Sequence, residues 1–237
     1  PAAVEEAMNS FMDTFDAAHV FRMSDDTGMF QHAVYSVPNL LEGYTTDDNA
    51  RAAILAVLAQ QSGITVPGAE RYLAFLWHAF NTEANRFRNF MRYDRQWSER
   101  IGSEDSHGRA VWALGTVVGR SADAGLRGLA GRLFDQALPA SFAFTSPRAW
   151  AFILLGCHEY LQWFSGDRAA QLARDTLTRQ LVQLYEENRS RDWVWFEDVV
   201  SYSNASLPHA MLMCGTDLKR DDLVEIGRDE QDSCAVF

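Results

Sequence analysis

Apolar residues recur along most of this chain at intervals of three and four, the spacing that puts them on one face of an α-helix. The pattern predicts helices over residues 3–18, 47–62, 67–83, 105–119, 122–138, 147–164, 167–188, 204–215 and 217–227. Two stretches break it. Residues 24–44 are rich in Gly and turn residues and alternate in polarity from Met29 to Tyr35, which predicts a small β-hairpin. A second extended patch lies near 87–97. Strand content is too small for a sheet-based fold.

The predicted helices alternate in character. Ala50, Ala53, Ile54, Leu55, Val57 and Leu58 cover most of one circumference, as do 110–114, 150–155 and 210–214 in three others. A helix apolar nearly all round is buried on most sides. The helices between them carry one apolar stripe, such as Ala170, Ala173, Leu177, Leu181 and Leu184. Gly125, Gly128 and Gly131 at spacing three would let one of these outer helices approach a neighbour closely. The buried helices also begin alike, each with Ser or Thr close to an acidic residue, a Pro or an Asn. Anchored on Asp48, Asp105, Pro147 and Asn204, the starts lie 57, 42 and 57 residues apart. A helical-hairpin repeat of that period cannot bury its inner face alone. We therefore expect an all-α fold: an (α/α) toroid of helical hairpins in one domain over residues 1–237, with small β-hairpin insertions near 24–44 and 87–97. Six such hairpins would need about 310 residues. The 237 residues are fewer, so the expectation is an incomplete barrel, cut from a longer protein.

Composition narrows the partners. Lys and Arg number 21 against 32 Asp and Glu, a formal charge of −11, which argues against nucleic acid and anionic membrane surfaces. No apolar run approaches the roughly 20 residues of a membrane helix. Three distant cysteines give neither a disulfide framework nor a zinc spacing, and favour a cytoplasmic setting. There is no nucleophile elbow, phosphate-cradling loop or dinucleotide fingerprint, so no cofactor and no metal is expected.

If the inner helices run parallel, their N-termini gather at one end, and three acidic doublets fall there: Asp47-Asp48, Glu104-Asp105 and Glu197-Asp198. One acid at a helix start is usually a cap. Three doublets exceed what capping needs, and paired carboxylates push one another's pKa apart, which supplies the protonated and ionised members that glycosidic cleavage uses. The six acids are therefore candidate catalytic groups, and Arg51, His107, Arg109, Trp195, Tyr202 and Asn204 are candidate substrate-positioning groups. Trp112, Trp150 and Trp163 sit on apolar helices and read as core.

The segments Arg22 to Ala33, Gly43 to Arg51 and Ser103 to Gly115 resemble a bacterial (α/α) toroid domain of the six-hairpin glycosidase type, found alone or joined to glycosyltransferase modules. The resemblance runs to about Gly215, and Asp229 to Phe237 reads as a truncated end rather than another hairpin. It implies an (α/α) barrel and a saccharide context. The leading expectation is a carbohydrate-active domain acting on a glycosidic bond by carboxylate acid/base chemistry, with an oligosaccharide or glycoside as ligand. The alternatives are a non-catalytic saccharide-binding or accessory domain of a glycosyltransferase, and a sugar epimerase or isomerase using two facing histidines.

Overall fold

The structure, a computed structural model, describes residues 15–234. Most of the first expected helix, residues 3–14, lies outside them; a short helix α1 (Ala18–Arg22) follows. Among the described residues eight longer helices make four hairpins: α2 (Thr46–Gln61) with α3 (Ala69–Ala79), α4 (Glu104–Arg120) with α5 (Ala124–Ala137), α6 (Pro147–Trp163) with α7 (Arg168–Asn188), and α8 (Ser206–Leu218) with α9 (Asp221–Cys234). A 3₁₀ turn, Leu138–Ala143, links the second hairpin to the third. The chain is mainly α, as its periodicity predicts, with small antiparallel strand pairs. The last helix runs on to Cys234, past the 227 expected from sequence.

The first member of each hairpin packs on the first member of the next, and the second members lie behind them. Contacts at both ends show that these inner helices run parallel. At their starts, Asp47 meets Arg109, and Glu104 meets Thr145 and Ser146. At their ends, the Gln61 amide donates to the Arg120 carbonyl, Arg120 pairs with Glu159, and His158 pairs with Asp217. The first and last inner helices line one cavity, so the row of four is curved.

Local chemistry sets the helix starts. Thr45, Ser103 and Ser146 are the N-caps of α2, α4 and α6, their hydroxyls accepting from the backbone N–H groups of Asp48, Ser106 and Ala149. The caps are hydroxyls, which leaves the neighbouring acids available for other partners. Pro147 occupies the first turn of α6, where a missing N–H costs nothing.

The central pair, α4 and α6, is buried nearly all round: 12 of 17 residues in α4 and 11 of 17 in α6. Their backbones touch. A Cβ on Gly115 would lie 2.1 Å from the Gly156 carbonyl oxygen, and one on Gly156 would lie 2.7 Å from that of Val111. The expected close approach through Gly125, Gly128 and Gly131 does not occur. A Cβ at Gly128 would meet nothing within 4 Å, because α5 turns that face outward. α2 also departs from expectation: its alanines are buried, but Leu58 is 42% exposed and Ile54 and Leu55 are half-buried. Trp163, read as core, is exposed at the end of α6 beneath the Arg127 guanidinium.

The extended segments brace this row. β1 (Ala33–Val34) and β2 (Val37–Pro38) form a hairpin inside 24–44. β3 (Tyr44–Thr45) pairs with β6 (Phe90–Met91), which ties the 87–97 patch to the start of α2. β4 (Phe80–Asn81) pairs with β5 (Arg86–Phe87), and this pairing stops α3 at Ala79, short of the expected 83. Asn49, fully buried, accepts from the Met29 N–H and donates to the Met29 and Thr45 carbonyls. Gly28 passes so near that a Cβ would sit 2.3 Å from the Asn49 Oδ1. No described helix is long and apolar enough to cross a membrane.

Candidate functional site

The curved row encloses an open cavity of about 520 Å³. Arg51, Arg109, Ser203 and Ser206 line its mouth, the end nearest the helix starts. Farther along the helices are Ile54, Leu55 and Leu58 of α2 and Trp112 of α4, with His209 of α8 also on the wall. Trp112 is half-buried and lies parallel to the fully buried Phe152, centroids 6.0 Å apart. Arg109 covers the Phe152 ring at 4.1 Å.

One expected acidic doublet reaches this mouth. Asp47 Oδ1 lies 2.5 Å from the Arg109 Nε, and Asp47 Oδ2 accepts from the Arg51 Nη2 at 3.2 Å. Asp48 pairs with the same Arg51 nitrogen at 2.5 Å and accepts from the Thr45 hydroxyl. Arg109 Nη2 donates across the mouth to Ser203 Oγ at 3.3 Å. Burial pushes the Asp47 carboxyl above its ordinary value, against the pull of Arg109 and Arg51. Burial lowers Arg109, although a guanidinium stays charged in proteins.

The other acids serve joints between helix starts. Glu104 Oε2 accepts from the Thr145 and Ser146 N–H groups, both at 2.8 Å, and so closes the open end of α6. Asp105 Oδ1 accepts from the Ser146 hydroxyl, while its Oδ2 is buried without a hydrogen-bond partner among the described residues. Glu197 takes both its oxygens to the Arg148 Nη1, at 2.9 and 2.7 Å. Asp198 is exposed on the segment before α8. Thus the helix starts converge, but no two of the six carboxylates face one another across the cavity with both members unpaired.

Of the expected positioning residues, Arg51 and Arg109 line the cavity. His107 is fully buried, with Nε2 against the Ala137 carbonyl at 3.1 Å and Nδ1 accepting from the Phe87 N–H at 3.4 Å. Burial drives its pKa down to about 3, so it is a neutral core imidazole. Trp195 is 3% exposed and packs edge-on to Phe196, which makes it core rather than a sugar platform; its Nε1 has no hydrogen-bond partner among the described residues. Tyr202 stacks under Arg148, and Asn204 accepts from the same guanidinium.

Sequence reasoning missed Trp112, Ser203 and the aliphatic wall. Trp112 had a signal: it lies three residues after Arg109, hence on the same helical face. Ser203 had none, because its place depends on a left-handed backbone (φ 53°) held by Arg148, whose Nε donates to the Tyr202 carbonyl at 2.5 Å. Among the described residues no cluster of His, Cys, Asp and Glu could hold a metal ion.

No family model matches the sequence, and no curated protein does. One solved structure that resembles it is a sugar epimerase from a ruminal bacterium: TM-score 0.61, 14% identity, over 94% of this chain and 69% of that one. At this identity the likeness is one of fold.

Proposed function

We propose that the concave face binds a saccharide. The observation that carries this reading is the chemistry of the cavity: a half-buried Trp112 offers an apolar platform beside guanidinium, carboxylate, hydroxyl and imidazole groups at one mouth. Sugars present apolar C–H faces and rings of hydroxyls, and a site for them needs both kinds of surface in one concavity. The volume is within the roughly 300–1,000 Å³ of small-molecule sites. The fold shared with a sugar epimerase supports the same reading. The epimerase chemistry expected from facing histidines has weaker support, since His209 lines the cavity while His107 is sealed in the core.

Calorimetric titration of the chain with neutral mono- and disaccharides tests the proposal. Trp112→Ala should weaken binding at least tenfold and Trp112→Tyr should restore most of it; equal affinities for all three proteins would reject it.

Catalysis at the same mouth is a second reading, and Asp47 favours it. This carboxyl borders the cavity and holds its proton more strongly than an exposed Asp. Acid/base action on a glycosidic bond would then run through Asp47, with Asp48 two ion pairs away. Glu104, Asp105 and Glu197 would act as struts rather than as reacting groups. Proton NMR of a glycoside incubated with the protein would show a new anomeric signal, lost in Asp47→Asn. An unchanged spectrum would leave a binding domain.

A further inference from the structure

The cavity is graded along the helix axes. On α2 the charged Arg51 stands at the mouth and Ile54, Leu55 and Leu58 follow it along the helix. Seven residues separate Arg51 from Leu58, about 10 Å at ~1.5 Å per residue. On α4, Arg109 is followed by Trp112. The Ile54, Leu55 and Leu58 side chains offer no hydrogen bonds, so a further sugar unit there would gain no polar partner in exchange for its water. The charge at the mouth is also balanced. Two guanidiniums, Arg51 and Arg109, are matched by two carboxylates, Asp47 and Asp48. Burial, with a smaller push from His158, lowers the pKa of His209, the remaining titratable group on the wall.

From this gradient we propose that the ligand is a neutral glycoside bearing an apolar aglycone, with the sugar at the Arg51–Arg109–Ser203 mouth and the aglycone along Ile54, Leu55, Leu58 and Trp112. This rests on the saccharide reading above. An anionic sugar would meet two guanidiniums already neutralised by Asp47 and Asp48 and would add a third negative charge beside those carboxylates, whereas hydroxyls can use the remaining guanidinium N–H groups and carboxylate lone pairs together. The apolar chain removes Leu58 from water, which supplies affinity that a bare sugar lacks.

The test is calorimetry on the whole chain with methyl and hexyl glycosides of glucose, galactose and mannose, with hexyl glucuronide and hexanol as controls. For the sugar that binds, the hexyl glycoside should bind at least tenfold more tightly than the methyl one. The double variant Leu55→Ser/Leu58→Ser should shrink that ratio below threefold by weakening the hexyl glycoside more than the methyl one; a ratio kept at tenfold would overturn the assignment of the aglycone to this wall. Leu58 is exposed and Leu55 half-buried, and an unaltered melting temperature checks that the variant keeps the fold. Equal binding of methyl and hexyl glycosides would overturn the aglycone proposal and leave the saccharide reading standing. Hexanol competing as well as the hexyl glycoside would overturn both, as would no binding by any probe. Tighter binding of the glucuronide would overturn the requirement for neutrality.

Discussion

Arg148 is 4% exposed, and its guanidinium reaches three parts of the segment before α8: the Tyr202 carbonyl, both Glu197 oxygens and Asn204 Oδ1. Removing one partner of a buried pair leaves the other charge unmatched, at a cost of about 3–5 kcal/mol. Glu197 is partly accessible, which places the expected loss at the low end, near 3 kcal/mol for Arg148→Met. Hydrogen exchange should show lost protection across 189–205, and unchanged exchange there would contradict this role. His107 gives a second residue-scale prediction. Its folded pKa, about 3, is far below the ordinary 6.5, so the unfolded chain binds the proton more readily. Stability is therefore lost as pH falls from 6.5 toward 3, by up to about 1.4 kcal/mol per pH unit from this group. His158 works the other way: its hydrogen bond to Asp217 raises its pKa, so its stabilisation is full below 6.5 and fades as pH rises through the raised value. Urea denaturation between pH 6.5 and 4.5 should show a shallower decline in His107→Gln than in the parent protein, and parallel slopes would refute the assignment.

At the scale of elements, the glycines on α4 and α6 differ from those on α5. Ala at Gly115 would drive a Cβ into the backbone of Gly156, and neither helix backbone can yield without separating the pair. The helix-propensity gain of about 1 kcal/mol for Gly→Ala is outweighed there. Gly115→Ala should lower stability by about 2 kcal/mol or more. Gly128→Ala, in open space, should raise it by up to about 1 kcal/mol. Thermal unfolding of the two variants should move in opposite directions; a shift of the same sign would show that the α4–α6 contact can relax. The spacing of Gly125, Gly128 and Gly131 looked like the packing signal because spacing along one helix is visible in sequence. The partner of Gly115 lies 41 residues away, and no local pattern announces it.

Across the whole molecule, each inner helix packs on its sequence neighbours, and α4 and α6 are flanked on both sides. Stability in such an array is close to a sum of neighbour interfaces. Amide exchange should thus be slowest in α4 and α6 and fastest in α8, α9 and the 189–205 segment. Equal protection throughout would indicate one indivisible core. The cavity belongs to this scale too, since its walls come from all four inner helices and the segment leading into the last.

Sequence alone determined the helical class, the alternation of inner and outer helices and the hydroxyl caps of the first three inner starts, whereas α8 begins at Ser206 without a side-chain cap. Each of these follows from periods of three to four residues and from capping groups within one turn. It also brought the charged mouth into view, because Asp47, Arg51 and Arg109 sit at those starts. Tertiary structure alone decided which carboxylates remain at the cavity and which become struts, that His107 and Trp195 are core, and that Trp112 and Leu58 face open space. The physical reason is common to all of these. A side chain's partner is set by the curvature of the row and by where the neighbouring helix begins, and both are fixed by backbone contacts far apart in the chain.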